Sequence, residues 1–113
     1  MGLRSRNKGK VGEREAAAEI RRLFGVEARR GCQYSGSDES PDIVTAIPDL
    51  HFETKRCEAF RLYSALEQAA ADAGDKVPVV LHRANNQPWV SIVLLDDLPR
   101  LAVQLYLTMA QNN

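Results

Sequence analysis

The chain has 113 residues, of which 44% are hydrophobic and 27% charged, with 15 basic and 15 acidic side chains. This length and apolar content suit one globular domain and exclude a disordered chain. Because no apolar run is long enough to cross a bilayer and the first residues lack the apolar stretch of a signal peptide, we expect a cytoplasmic protein with no membrane partner.

Hydrophobic periodicity and turn residues predict a basic, flexible arm over residues 1–9 and a single domain over residues 10–113. The predicted elements of that domain are, in chain order, a helix over 10–24, strands over 26–30, 42–46 and 50–55, a helix over 64–73, strands over 77–83 and 89–95, and a last helix that opens near 96–99. This order, α-β-β-β-α-β-β-α, predicts a mixed sheet flanked by helices, in the α/β or α+β class.

Several boundaries follow from residues that end or begin helices. Gly25 and Gly74 each stand just after a helical pattern, where glycine commonly ends a helix. Ser64 and Glu67 have the spacing of a capping box, which predicts that the second helix begins at Ser64. In the last helix an apolar stripe is predicted to face the core or a partner subunit, and it consists of Leu98, Leu101, Ala102, Leu105 and Met109.

Cysteine and histidine usage argues against a zinc site. Cys32 and Cys57 are the only cysteines, and neither stands in a Cys-x-x-Cys or Cys/His cluster. His51 and His82 lie inside apolar runs, which favours structural roles in strands. We therefore predict neither histidine to be a ligand.

The zero net charge hides an uneven distribution. Residues 1–30 carry nine Lys/Arg and four Glu, a net of +5, whereas residues 31–113 carry six Lys/Arg and eleven Asp/Glu, a net of −5. A basic first third suits a polyanion bound on one face, and it equally suits a solvated helix with a charged tail. Charge alone leaves both interpretations open.

Asp42, Glu53 and Lys55 form the pattern most indicative of chemistry. Glu53 and Lys55 project from the same face of their strand, and Asp42 begins the neighbouring strand of the predicted hairpin. Two converging carboxylates are costly unless a cation neutralises them, and their hard oxygen atoms suit Mg²⁺ or Mn²⁺. Such an ion activates water for attack on a phosphate, and a neighbouring lysine stabilises the developing charge. Taken singly, an Asp at the start of a strand and an exposed Glu-x-Lys on an edge strand are usually structural.

The surrounding sequence resembles the PD-(D/E)XK nuclease superfamily, and within it the archaeal and phage-type Holliday-junction resolvases. The similarity covers residues 8–74 in order and spacing. Its motifs are Lys8-Gly9-Lys10 with Glu13-Arg14, then Ala28-Arg29-Arg30, Ser35-Gly36-Ser37, Pro41-Asp42, Glu53-Thr54-Lys55 and Glu67-Gln68. The resemblance implies a restriction-endonuclease-like core and a Mg²⁺-dependent endonuclease, with Mn²⁺ as a substitute, that resolves four-way DNA junctions by phosphodiester hydrolysis.

The resemblance also implies residue roles. It makes Asp42 and Glu53 the principal metal ligands, with Glu13 completing the site and the Thr54 carbonyl contributing. Lys55 is the implied catalytic lysine. The remaining implied catalytic residues are a loop serine, either Ser35 or Ser37, and the helix residue Gln68. Glu15 is the rival of Glu13, and only one of them can serve because residues two apart on a helix point in different directions.

The basic residues then become candidates for binding the phosphates of branched DNA. They are Arg4, Arg6, Lys8, Lys10, Arg14, Arg29 and Arg30. Family members act as two-fold dimers, so we expect a homodimer whose interface is formed by the last helix or by the strand over 89–95. Two alternatives stay open: a nuclease of the same fold that acts on a flap, nick or mismatch, and a non-catalytic DNA-binding module of this fold.

Overall fold

The computed structural model describes residues 3–31 and 42–111, and it describes only the backbone of residues 3–8. Its elements are α1 (Leu3–Phe24), β1 (Ala28–Arg30), β2 (Ile43–Thr45), β3 (Leu50–Arg56), α2 (Leu62–Ala73), β4 (Val77–Arg83), β5 (Val90–Ile92), a 3-10 turn (Leu95–Asp97) and α3 (Leu98–Gln111). The expected class, a mixed sheet with flanking helices, is confirmed. None of the helices in the described ranges is both long and apolar enough to cross a membrane.

The sheet has five strands in the order β1-β2-β3-β4-β5. β3 and β4 pair in parallel over seven residue pairs, from Leu50 opposite Val77 to Arg56 opposite Arg83, and α2 is the connection that crosses between them. The other neighbouring strands pair antiparallel. β3 is therefore the central strand, with a helix available to cover each of its faces.

The two faces of β3 meet different helices. Leu50 and Phe52 belong to the larger core cluster, together with Ala17 and Ile20 of α1. On the opposite face, Ala69 of α2 belongs to a second cluster. Because side chains alternate along a strand, residues 51, 53 and 55 face the α2 side, and polar groups there must find partners between the sheet and α2.

Several predicted boundaries were wrong. α1 begins at Leu3 and not at Lys10, because the polar residues upstream include none that prevents helical backbone. α2 begins at Leu62, with Arg61 as an N-cap without a side-chain hydrogen bond, so Ser64 lies inside the first turn and no capping box forms. The predicted helix ends were right, since Gly25 and Gly74 both adopt positive φ.

The predicted apolar stripe of α3 was right in part. Leu101 and Leu105 pack on the core and Thr108 is buried, whereas Leu98, Ala102 and Met109 are exposed. Apolar residues surround α3 on all sides, so apolar spacing alone does not select the face that packs. β5 is shorter than predicted because only Val90–Ile92 pair with β4.

Gly12 allows α1 to approach β3 closely. A Cβ added at Gly12 would lie 2.5 Å from the Cβ of Arg56 and 3.9 Å from its Cα, so no side chain fits there unless the helix moves. Gly9, one turn earlier in α1, has nothing within 4 Å of the same position. The close approach at Gly12 positions the next residue, Glu13, beside the end of β3.

We therefore expect Gly12→Ala to lower the free energy of unfolding by about 1–3 kcal/mol, the usual cost of overpacking. The matched variant Gly9→Ala should raise it by about 0.5–1 kcal/mol, because alanine there only restricts the unfolded chain. Urea unfolding measures both values. Equal effects of the two substitutions would contradict the close contact between α1 and β3.

Candidate metal centre

Asp42 lies where the pairing between β2 and β3 ends. In this ladder the register pairs only Ile43 with Phe52, and the Asp42 N–H donates to the Phe52 carbonyl at 3.2 Å. Beyond that point the Asp42 side chain replaces the backbone, since its Oδ2 accepts a hydrogen bond from the Thr54 N–H at 2.7 Å. This bond holds the Asp42 carboxylate against β3, beside Glu53.

Glu53 is a buried carboxylate, with 5% of its surface exposed. Burial by itself opposes its ionisation, but hydrogen bonds from His51 and then from Asp42 more than offset that effect, so the pKa of Glu53 lies below its usual value. The His51 contact joins Nε2 to Glu53 Oε1 at 2.8 Å. Glu53 is therefore the charged member of the cluster.

Asp42 behaves in the opposite way. Its pKa is raised to about 7: burial is the largest cause, the charges of Glu53 and Glu13 add to it, and the Thr54 N–H partly offsets it. Two adjacent carboxyl groups cannot both ionise cheaply, so one of them retains its proton near neutral pH. A bound cation would remove that penalty, which is the electrostatic condition of a metal site.

Glu13, and not Glu15, is the α1 glutamate that lies close to these carboxylates. The Glu53 charge contributes to raising the pKa of Glu13, although burial is the larger cause and Arg30 partly offsets it. Arg30 Nε donates to Glu13 Oε2 at 2.6 Å across a half-buried contact. Glu15 instead pairs with Arg83 at 2.6 Å. The preference for Glu13 over its rival agrees with this geometry.

Lys55 lies on the same side of β3 as Glu53, one alternation further along the strand. Its Nζ donates to Gln68 Oε1 of α2 at 3.0 Å. Gln68 is exposed, and it is the polar helix residue that the sequence pattern indicated. The structure thus brings together Glu13, Asp42, Glu53, Lys55 and Gln68.

Sequence reasoning missed two members of the cluster, His51 and Asp72. We predicted His51 to be structural, yet it bonds the central carboxylate, and Asp72 of α2 also hydrogen-bonds Glu53. One ligand atom from each of His51, Glu53 and Asp72 lies within 4.8 Å of the others, so this group can hold a metal ion. Alternation along His51-x-Glu53 and the four-residue spacing from Gln68 to Asp72 were the signals that could have revealed them.

The predicted DNA-binding residues do not all remain available. Lys10, Arg14 and Arg29 have exposed side chains, whereas Arg30 is half-buried and paired with Glu13. The side chains of Arg4, Arg6 and Lys8 lie outside the described part of the chain, as do Ser35 and Ser37.

Comparison with known proteins adds no assignment. No protein-family model, curated protein or solved structure matches this chain.

The raised pKa of Asp42 predicts how the stability of the metal-free protein depends on pH. The ordinary pKa of an aspartate is 3.8, and that of Asp42 in the folded protein is about 7. Between these two pH values the folded state holds a proton that the unfolded state has lost. The free energy of unfolding should therefore fall as pH rises through this window. Asp42→Asn keeps an acceptor for the Thr54 N–H and removes the charge. We expect it to stabilise the metal-free protein at pH 8 by about 1–2 kcal/mol relative to wild type.

The measurement is thermal or urea unfolding in a chelating agent at pH 5 and pH 8. Asp75→Asn, at an exposed position, is the control and should leave the pH dependence unchanged. If Asp42→Asn is less stable than wild type at pH 8, then the ionised Asp42 carboxylate stabilises the metal-free fold, contrary to this prediction.

Proposed function

We propose that this protein is a Mg²⁺-dependent endonuclease of the PD-(D/E)XK type that cuts four-way DNA junctions. The observation that supports this most is the adjacency of Asp42 and Glu53: the Thr54 N–H holds the Asp42 carboxylate against β3 at 2.7 Å, and Asp42 and Glu53 share a hydrogen bond. With both carboxyl groups ionised, the pair places two negative charges side by side in a largely buried position, which destabilises the metal-free fold. A cation bound by both carboxylates would neutralise their charges and remove this penalty.

The donor set fits Mg²⁺ and its substitute Mn²⁺. Asp42 and Glu53 would hold the ion through carboxylate oxygens, together with the Thr54 carbonyl that the resemblance implies, and such oxygen ligands are those that Mg²⁺ prefers. Glu13 lies near enough for its charge to act on both carboxylates, so it would hold a metal-bound water or complete the shell. When bound, the ion supplies a water of lowered pKa and neutralises charge on the phosphate.

Lys55 would act on the phosphate itself. Gln68 accepts one hydrogen bond from Lys55 Nζ at 3.0 Å, which fixes the amine and leaves its other two N–H groups to donate. As the water oxygen forms its bond to phosphorus, the bond from phosphorus to one bridging oxygen breaks and charge grows on the non-bridging oxygens. The positive amine stabilises that charge, and Gln68 acts as a positioning residue.

Exposed basic side chains support a DNA partner. Lys10 and Arg14 of α1 and Arg29 of β1 are exposed on the elements that carry Glu13 and its partner Arg30. Their charges would neutralise backbone phosphates without reading base edges, which suits recognition of DNA shape.

The test is cleavage of a labelled synthetic four-way junction in Mg²⁺, beside flap, nicked, mismatched and linear duplexes. We expect the junction to be cut fastest, and Asp42→Asn, Glu53→Gln and Lys55→Met each to reduce the rate by about 100-fold or more. Lys76→Met removes an exposed lysine away from the carboxylates and should cut at the wild-type rate.

The outcomes separate the alternatives. Faster cutting of a flap, nick or mismatch would keep the nuclease and change its substrate. Junction binding with no cleavage of any DNA above the Asp42→Asn level would instead identify a non-catalytic binding module.

We also propose that the active form is a homodimer joined through α3. The exposed apolar side chains Leu98, Tyr106 and Met109 recur at helical spacing, and Tyr106 is 72% exposed. Several large apolar side chains exposed together on one helix favour a protein interface. Two-fold pairing would present two sites to the symmetric strands of a junction.

Sedimentation velocity tests the dimer. Tyr106→Glu places a charge in the proposed interface and should yield a monomer. Gln111→Glu, at an exposed position on the same helix, introduces the same charge and should remain dimeric. A wild-type protein that is monomeric at tens of micromolar would rule out this interface.

A further inference from the structure

A second group of ligands lies on the α2 side of the sheet. His51 and Glu53 alternate along β3 and are both more than nine-tenths buried, while Asp72 approaches from α2 and is only partly buried. One ligand atom from each lies within 4.8 Å of the others. Glu53 therefore has Asp42 as one neighbour and the His51–Asp72 pair as another.

The separation of His51 and Glu53 matches that of two neighbouring ligands to one ion, and Asp72 lies within 4.8 Å of both. Two neighbouring ligands of an octahedral ion with bonds of about 2.1 Å lie about 3.0 Å apart, and two opposite ligands lie about 4.2 Å apart. His51 Nε2 and Glu53 Oε1 are 2.8 Å apart, close to the first of these separations. For these two residues, the direct contact could be exchanged for bonds to a shared metal without a large change in their separation.

The chemistry of the group differs from that of the Asp42 pair. It offers an imidazole nitrogen with two carboxylates, a set that suits Mn²⁺ or Zn²⁺ better than Mg²⁺, which prefers oxygen ligands and retained water. A neutral imidazole ligand also avoids adding a third negative charge to a buried site. Burial of His51 and Glu53 fixes their orientation, and the partly exposed Asp72 provides the side from which an ion enters.

We propose that His51, Glu53 and Asp72 form a second divalent-cation site, selective for a transition ion such as Mn²⁺ or Zn²⁺ and sharing Glu53 with the Asp42 site. This site rests on the proposed function only in that Glu53 is common to both sites, and a cation held there would add positive charge beside the proposed nuclease centre. Binding at His51 does not itself require DNA or cleavage, so it can be tested apart from the proposed function.

The decisive experiment is pulsed electron paramagnetic resonance on the full chain with one equivalent of Mn²⁺. A directly bound imidazole nitrogen produces a ¹⁴N coupling, which we expect in wild type and in Asp42→Asn, and expect to be lost in His51→Gln. His82→Gln is the matched control: His82 Nε2 bonds the Cys57 carbonyl at 3.0 Å and its ring stacks on Phe60, so its removal should leave the coupling unchanged.

Calorimetric titration with Zn²⁺ provides an independent measure. Asp72→Asn should weaken binding by at least about tenfold while Asp75→Asn, nearby on the chain but outside the group, should not. Circular dichroism verifies that each variant is folded. The ¹⁴N coupling is expected in wild type and in Asp42→Asn, so the test does not depend on whether His51→Gln folds.

Absence of a ¹⁴N coupling in wild type would overturn the proposal and leave His51 as a hydrogen-bond partner of Glu53. Unchanged Zn²⁺ affinity in Asp72→Asn would overturn it as well. A nitrogen signal in a protein that cuts no DNA would support this site and contradict the nuclease, so the two failures are distinguishable.

Discussion

The hydrogen bond from the Thr54 N–H to Asp42 Oδ2, at 2.7 Å, is the interaction on which the site depends. Regular pairing of β2 with β3 is confined to Ile43 and Phe52, so a backbone donor of the central strand would otherwise lack a partner at this point. The Asp42 side chain provides the acceptor. In doing so it brings a second carboxyl group beside Glu53, and the charge of Glu53 contributes to the raised pKa of Asp42.

The cluster stores unfavourable electrostatic energy that the rest of the fold must offset. α1 closes against β3 at Gly12, which places Glu13 near the pair, and Arg30 then compensates part of the Glu13 charge. On the other side of the sheet, α2 contributes Asp72 near Glu53 and Gln68 beside Lys55. Burial and the neighbouring negative charges raise the pKa of Asp42 and of Glu13, so ionising these two groups at neutral pH costs the metal-free fold stability.

Glu53 has the most neighbours of any group in the cluster. His51, Asp42 and Asp72 each hydrogen-bond it, and these bonds lower its pKa although it is buried. A carboxylate that stays charged between two sets of ligands suits a bridging role. The proposed nuclease chemistry and the proposed second cation site therefore depend on the same side chain, while Asp42 and His51 distinguish them.

Local rules predicted much of the fold and failed at identifiable places. The extent of β4 and the glycine ends of α1 and α2 were predicted correctly. Both depend on local sequence: a run of apolar residues forms the buried strand, and a glycine adopts the positive φ that ends a helix. The predicted start of α2 was wrong. A capping box at Ser64 needs the helix to begin there, but Leu62 and Tyr63 are already helical. The prediction of which α3 residues pack was right only for Leu101 and Leu105, because apolar residues occur all around that helix.

The sequence by itself determined that Glu53 and Lys55 share one face of a strand, because alternation is a property of the extended backbone and needs no tertiary contact. It also placed Asp42 on the adjoining strand. Only the tertiary structure decided that Glu13 and not Glu15 approaches the carboxylates, because the contact at Gly12 sets the rotation of α1 against β3. Only the packing of α2 on the sheet brought Asp72 to Glu53, since the two residues are separated by a helix and a loop and no local rule fixes how such segments meet.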